Sequence, residues 1–214
     1  MTDNEPRIML LDTASLYFRA FFGMPDSITA PDGTQVNAVR GLVEFITRLL
    51  RDYAPTHVAA CWDDDWRPAF RVEVIPSYKA HRVAAPTEPT DAAGPVVEDV
   101  PDALSPQVPI IAEVLAAVGI TRVGAPGFEA DDVIATLAER TRIAREMHDI
   151  IAHSLSVLIA QADGGRYAAR TDPEAAPRAL ETISEVGRAS LADMRQLLGV
   201  LRDEALPHGT AETA

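Results

Sequence analysis

Lysine is almost absent from this chain of 214 residues: of 19 basic residues 18 are arginine, and only Lys79 is lysine. Basic charge as a whole is outnumbered by 32 acids, for a net charge of −13. That balance excludes a general polyanion binder, so any nucleic-acid contact has to come from a local basic patch or through metal ions. Cysteine is reduced to Cys61, which removes any intramolecular disulfide, fits a reducing cytoplasm and leaves the thiol to pack in a core. No apolar run approaches the roughly 20 residues that span a bilayer, and the opening MTDNEPR is acidic, unlike a signal n-region, so the expectation is a cytoplasmic protein with no membrane partner. One further absence is local. Between Glu129 and Tyr167 there is no proline, and the only glycines are Gly164 and Gly165, so this stretch reads as one helix.

What is present suits a packed core, since 47% of the residues are hydrophobic. The run Arg7 to Asp12, RIMLLD, has the pattern of a buried parallel strand ending in a carboxylate, and His57 to Trp62 repeats it before Asp63, Asp64 and Asp65. Ligands of open α/β sheets gather at such strand ends. The aromatic Ser15 to Phe22 leads into turn chemistry at Pro31, Asp32 and Gly33. Helical spacing of Val39, Leu42, Val43, Ile46, Leu49 and Leu50 predicts a helix over 36–53. Gln107 to Val118 predicts another, with Val108, Ile111, Val114, Leu115 and Val118 on its apolar side and Gly119 as its stop. Ile120 to Ala125 reads as a third strand, and the Pro-, Ala- and acid-rich 83–106 as a mobile connection rather than core.

Chemistry concentrates in two places. Glu129, Asp131 and Asp132 open the long helix, where its dipole favours negative charge, and an acidic first turn is common enough to need no further purpose. Adding Asp12 and Asp63 from two strand ends makes five acids with no cation among them. Such a group repels itself unless hard divalent ions fill it, and oxygen-only ligands suit Mg2+ or Mn2+ in a two-ion site for phosphodiester hydrolysis. Between the strand ends and the helix, Arg67, Arg71, Lys79 and Arg82 alternate with Trp66, Phe70 and Tyr78. Cations for phosphates and rings for bases are what a nucleic-acid reader needs, and a solvated loop is the plain alternative. Farther along, His148 is followed by Asp149, roughly 24 Å from Asp132 along a continuous helix, too far to share a reaction centre.

The segments LLDTASLYFRAFF, ACWDDDWRPAFR, IPSYKAHR and GFEADDVIATLAER, in this order, resemble the N-terminal part of the bacterial 5′-3′ exonucleases. These are flap-endonuclease relatives that also form the first domain of some DNA polymerases I. The resemblance covers about residues 7 to 140. It implies an α/β, PIN-like 5′ nuclease domain with a truncated parallel sheet. Asp12, Asp63, Glu129, Asp131 and Asp132 would be metal ligands or acids supporting them; Arg71, Lys79 and Arg82 would hold the phosphates of a DNA 5′ end or flap, and Tyr78 would stack on a base. The family's further strand with a Thr-Gly-Asp-x-Asp type motif, its later metal-binding acids and its duplex-gripping helical hairpin do not appear after the EADD helix, so the resemblance implies an impaired nuclease.

From Glu139 to Asp203 the pattern changes. Ile143, Met147, Ile150, Ser154, Val157 and Ala160 form one helix seam, and Leu180, Ile183, Val186, Ser190, Met194, Leu197 and Leu201 a second, with Asp172 and Pro173 starting the second helix. Two such helices cannot bury both stripes alone, which predicts an all-α antiparallel hairpin dimerising into a four-helix bundle. With its Arg-Ile-Ala-Arg-Glu-x-His-Asp box at 142–149 and its closing DMRQLLGVLRDE, this part resembles the dimerisation and phosphoacceptor domain of two-component sensor histidine kinases. By that resemblance His148 is the phosphoacceptor, Asp149 sharpens its nucleophilicity, and His153 is structural. The partners would be a second copy of the chain and a kinase ATP-binding domain or response regulator acting in trans, because no nucleotide motif follows Asp203. The expected layout is a nuclease-like domain over 1–138, a hairpin over 139–204 and a disordered tail over 205–214. Two alternatives stand beside the nuclease reading: a dimerising phosphoacceptor module, and a fusion product joined near Glu139 and Arg140 with neither activity.

Overall fold

The computed structural model describes residues 6–84 and 97–204. The expected tail at 205–214 and most of the expected mobile connection lie outside the described residues. By compactness the chain divides into a unit up to Thr136 and a unit from Leu137.

The first unit is a PIN-like α/β arrangement built on three parallel strands, β1 (Ile8–Asp12), β2 (His57–Cys61) and β3 (Thr121–Val123), with β2 in the centre. Ile8 pairs with His57 and Asp12 with Cys61, while Ala59 pairs with Thr121 and Cys61 with Val123. All three strands therefore end together, and Asp12 and Asp63 emerge at that shared C-terminal edge. The strand ends read from the sequence are shorter by a residue or more, most of all at β3. Cys61 is buried and free.

Helix α1 (Thr13–Gly23) starts directly on β1, because Asp12 caps it: its Oδ1 accepts the Ser15 N–H at 2.9 Å and its Oδ2 the Ser15 hydroxyl at 2.5 Å. Helix α2 (Asn37–Tyr53) puts Ala38, Val39, Leu42 and Ile46 into a core with Leu11, Ala60, Trp62, Leu104, Ile111 and Leu115. Val43, expected inside, is exposed. Helix α4 (Gln107–Ala117) contributes Ile111 and Leu115 and stops where Gly119 takes φ +77°, but Val118 lies outside the core at its C-cap. Leu104 corrects the reading of 83–106 as non-core: a turn from Pro101 brings it fully inside. Composition misled there because one buried leucine among prolines and acids leaves no periodic trace.

Between β2 and β3 run α3 (Ala69–Val74) and a 3-10 turn (Ala80–Arg82). Val83 forms an antiparallel bridge with Glu98, and the Ala84 N–H is bonded to the Val97 carbonyl at 2.9 Å.

The second unit is helical. Helix α5 (Ala130–Ala168) starts in the first unit and runs unbroken, and α6 (Ala175–Glu204) returns antiparallel to it. The direction follows from two contacts: Ser154 Oγ lies 2.6 Å from Ser190 Oγ, and Gly165 faces Ala179. The second helix begins two residues later than Pro173, after Asp172 accepts the Glu174 N–H at 3.0 Å. Ile143 and Ser154 are buried as the seam predicts. Leu180 departs from it, being exposed while Ala179 is buried, because the helices approach closely enough at Gly165 to admit only a methyl group.

Candidate functional site

The acids at the ends of β1 and β2 meet the start of α5 in one cavity of about 470 Å³, lined by Asp12, Ser15, Phe18, Phe22, Asp63, Lys79, Arg82, Glu129 and Asp131 among others. Local folding explains how they arrive. Asp12 is held as the cap of α1. Asp63 Oδ1 accepts the Ala130 N–H at 2.6 Å, satisfying one of the orphan donors at the start of α5. Asp132 turns back on the same terminus, its Oδ2 accepting the Glu129 N–H at 3.1 Å, which is half of a capping box. Three of the five acids thus serve helix starts, and their position follows from that service.

The expectation of five acids with no cation among them does not hold. Glu129, whose side chain is 5% exposed, is bonded to Lys79 through Oε1 and lies 3.0 Å from Arg71 Nε through Oε2. This second contact is electrostatic rather than a directed hydrogen bond, since the buried Nε has no aligned acceptor. Arg71 Nη2 donates to Asp132 Oδ1 at 2.6 Å. For Glu129 and Asp132 the charge is therefore met from within the chain, by two cations on the segment between β2 and β3.

Tyr78 completes this network. Its hydroxyl donates to Glu129 Oε2 at 2.7 Å and accepts from Arg71 Nη1 at 3.3 Å. Arg71 and Lys79 also sit by its ring, at 5.4 and 5.7 Å from the centroid. Burial first, then the bond to Glu129, pushes the Tyr78 phenol up to about 12. Lys79 adopts φ +48°, a left-handed conformation costly for a residue with a Cβ, and its ammonium also donates to the Trp66 carbonyl at 3.0 Å. Arg82 pairs with Glu98 and lies 5.3 Å from the Phe18 centroid. Burial raises the Glu98 carboxyl above its ordinary range against the pull of Arg82, and burial likewise raises the Asp63 carboxyl, with Asp12 and Glu129 adding to the effect and the Ala130 N–H opposing it. Tyr17 is held well above the usual phenol range by burial first, with the charges of Glu98, Asp63 and Asp12 adding to it.

Asp131 differs from its neighbours. It lines the cavity and has no hydrogen-bond or ion-pair partner among the described residues. Asp132 instead faces Arg71 and does not line the cavity. Sequence reasoning missed Ser15, Phe18, Phe22 and Glu98. Ser15 was legible as the residue three beyond a capping aspartate, whereas Glu98 sits in an acid-rich stretch with nothing to single it out.

The donor chemistry of Asp12, Asp63 and Asp131 fits a hard divalent cation: three carboxylates line one cavity, and among the described residues none of them is in an ion pair with a lysine or arginine. Among the described residues no three His, Cys, Asp or Glu side chains stand at mutual ligand spacing. In the second unit His148, Asp149 and His153 are exposed on α5. No helix among the described residues is long and apolar enough to cross a membrane.

Known proteins share these features. The 5′-3′ exonuclease of Streptomyces coelicolor is 51% identical over 194 residues, covering 87% of this chain and 63% of that protein. That of Mycobacterium tuberculosis is 58% identical over 135 residues, covering 63% of this chain and 42% of its own length. DNA polymerase I of Mycobacterium bovis is 44% identical over 135 residues, only 13% of that protein. The chain therefore spans less than two thirds of these relatives. Residues 139–206 match a family described as histidine kinase, and this match overlaps the exonuclease match over 139–154, inside α5. With residues 7–154 matching the family described as 5′-3′ exonuclease, N-terminal resolvase-like domain, the chain belongs to that family.

Proposed function

We propose that residues 1–138 form a metal-dependent nuclease domain that hydrolyses phosphodiesters at DNA 5′ ends or flaps, with Mg2+ or Mn2+ held by Asp12, Asp63 and Asp131. The observation that carries this reading is the single cavity at the C-terminal edge of the sheet, where carboxylates and the cations Lys79 and Arg82 line the same space. A bound divalent ion supplies an activated water and stabilises the leaving oxygen. Glu129 and Asp132 take a supporting part, because Lys79 and Arg71 already neutralise them. Lys79, Arg82 and Arg71 are the phosphate-holding cations of this reading, each exchanging a carboxylate partner for a phosphate oxygen. The lone cysteine supports a cytoplasmic setting.

Magnesium-dependent cleavage of a 5′-flap DNA tests the proposal. Asp131→Asn is the decisive variant, since the Asp131 side chain has no hydrogen-bond or ion-pair partner among the described residues, and it should slow cleavage by roughly 100-fold or more. Folded protein that leaves the flap intact in both Mg2+ and Mn2+, or cleavage unaffected by Asp131→Asn, would defeat it.

The hairpin supports a second reading for residues 139–204, a homodimeric phosphoacceptor module. Ile151, Leu155 and Ile159 recur every four residues on α5 and are exposed, as are Leu191 and Leu198 on α6. A second copy covering these residues would form a four-helix bundle. His148, exposed beside Asp149, would then accept a phosphoryl group from a kinase ATP-binding domain or exchange it with a response regulator. Light scattering should give twice the chain mass, and a monomer at high micromolar concentration would count against this reading.

A further inference from the structure

Tyr78, expected to stack on a base, is poorly placed to do so. The ring of Tyr78 is flanked by the guanidinium of Arg71 and the ammonium of Lys79, and its hydroxyl is spent on Glu129 and Arg71. A nucleobase stacking on this ring would have to displace cations that are themselves tied to Glu129 and Asp132. More exposed rings lie nearby: Phe70 and Phe128 are 44% and 45% exposed and 5.8 Å apart, and although Arg71 stands 5.7 Å from the Phe70 centroid, neither ring carries a hydroxyl tied to an acid.

We propose that Tyr78 is a positioning residue that acts through its hydroxyl on Glu129, and not a base-stacking platform. Glu129 lies against the candidate cavity on one side and the cation pair on the other, with one oxygen taken by Lys79. Its other oxygen lies 3.0 Å from Arg71 Nε without a directed bond and receives the Tyr78 hydroxyl, which adds the aligned hydrogen bond that fixes the rotation of the carboxylate. The same hydroxyl accepts from Arg71, so a single oxygen sets the spacing between the acid and the guanidinium. For catalysis this rests on the nuclease reading; the contact itself does not.

Two substitutions separate hydroxyl from ring. Tyr78→Phe removes only the hydroxyl, and Tyr78→Leu removes the ring as well. Affinity for a 5′-flap DNA is measured by anisotropy in Ca2+, cleavage in Mg2+, and melting for Tyr78→Phe, Glu129→Gln and the pair. If the hydroxyl positions Glu129, Tyr78→Phe binds DNA as the parent does and loses about tenfold in kcat at unchanged KM. In the Glu129→Gln background its effect on melting is then smaller than in the parent, what remains being the bond from Arg71 and a weaker one to the neutral amide. Wild-type kcat in Tyr78→Phe together with weakened DNA affinity in Tyr78→Leu would overturn the proposal in favour of stacking. If the parent itself cleaves nothing, the nuclease reading falls alone, and additive melting losses in the cycle would overturn the role of Tyr78.

Discussion

Gln107 is the first residue to perturb, because it performs a task that local sequence leaves undone. Helix α2 begins without a side-chain cap of its own: Val36 precedes it and offers none. The N–H of Ala38, in the first turn and fully buried, is met instead by Gln107 Oε1 at 2.9 Å, from α4, 69 residues away. Gln107 Nε2 donates to Asn37 Oδ1 and to the Ala103 carbonyl, each at 2.9 Å, and Asn37 Nδ2 in turn donates to the Phe21 carbonyl at 2.9 Å. Gln107→Leu keeps the side-chain bulk and deletes all three bonds. Asn37 Oδ1 retains the Gln35 donor and the exposed Ala103 carbonyl finds water, so the surviving cost is one orphaned N–H in the core. That is worth about 2 kcal/mol, or a fall of roughly 6–10 °C in the midpoint of a unit this size. The only tryptophans are Trp62 and Trp66, so their fluorescence on heating reports the first unit alone. A midpoint within about 2 °C of the parent would refute the claim that Gln107 caps α2, since an unsatisfied buried donor cannot be that cheap.

Adjacent glycines on α5 should respond in opposite directions. A Cβ at Gly165 would sit 2.4 Å from the Ala179 Cβ, whereas one at Gly164 meets nothing within 4 Å. Gly164→Ala should therefore raise the helical melting midpoint, by up to about 1 kcal/mol of helix propensity. Gly165→Ala should lower it by a net 1–2 kcal/mol or so, with Ala179→Gly restoring it; equal effects at both sites would show that the helices do not cross here. The hairpin should also weaken in acid. The Arg178 bond holds the Asp172 carboxyl below its usual range and the Arg142 bond does the same for Glu139. A carboxyl depressed in the folded state contributes stability above its unfolded pKa and loses it as pH falls through the folded one. Melting followed at 222 nm should fall between about pH 5 and 3, more shallowly in Arg178→Ala; an unchanged profile would mean these exposed pairs carry no weight.

Much of this protein was legible without coordinates wherever a local rule decided the matter. The strand-then-acid pattern located Asp12 and Asp63 at strand ends, the 3.6-residue spacing located α2 and α4, and the lack of proline from Glu129 to Tyr167 gave the unbroken α5. Four motifs in order carried the family. Side-chain partnerships were not legible, because residues such as Gln107 with Ala38, Lys79 with Glu129 and Arg82 with Glu98 come together only when distant segments close on one another. Sequence spacing says which face a residue occupies but not which charge it will meet across a gap of 50 positions. By itself the sequence determined the acids, their strand ends and the helix they open. Tertiary structure alone decided that Lys79, Arg71 and the Tyr78 hydroxyl would meet Glu129 and that Arg71 would meet Asp132, since a carboxylate as buried as Glu129 costs too much to leave unpaired.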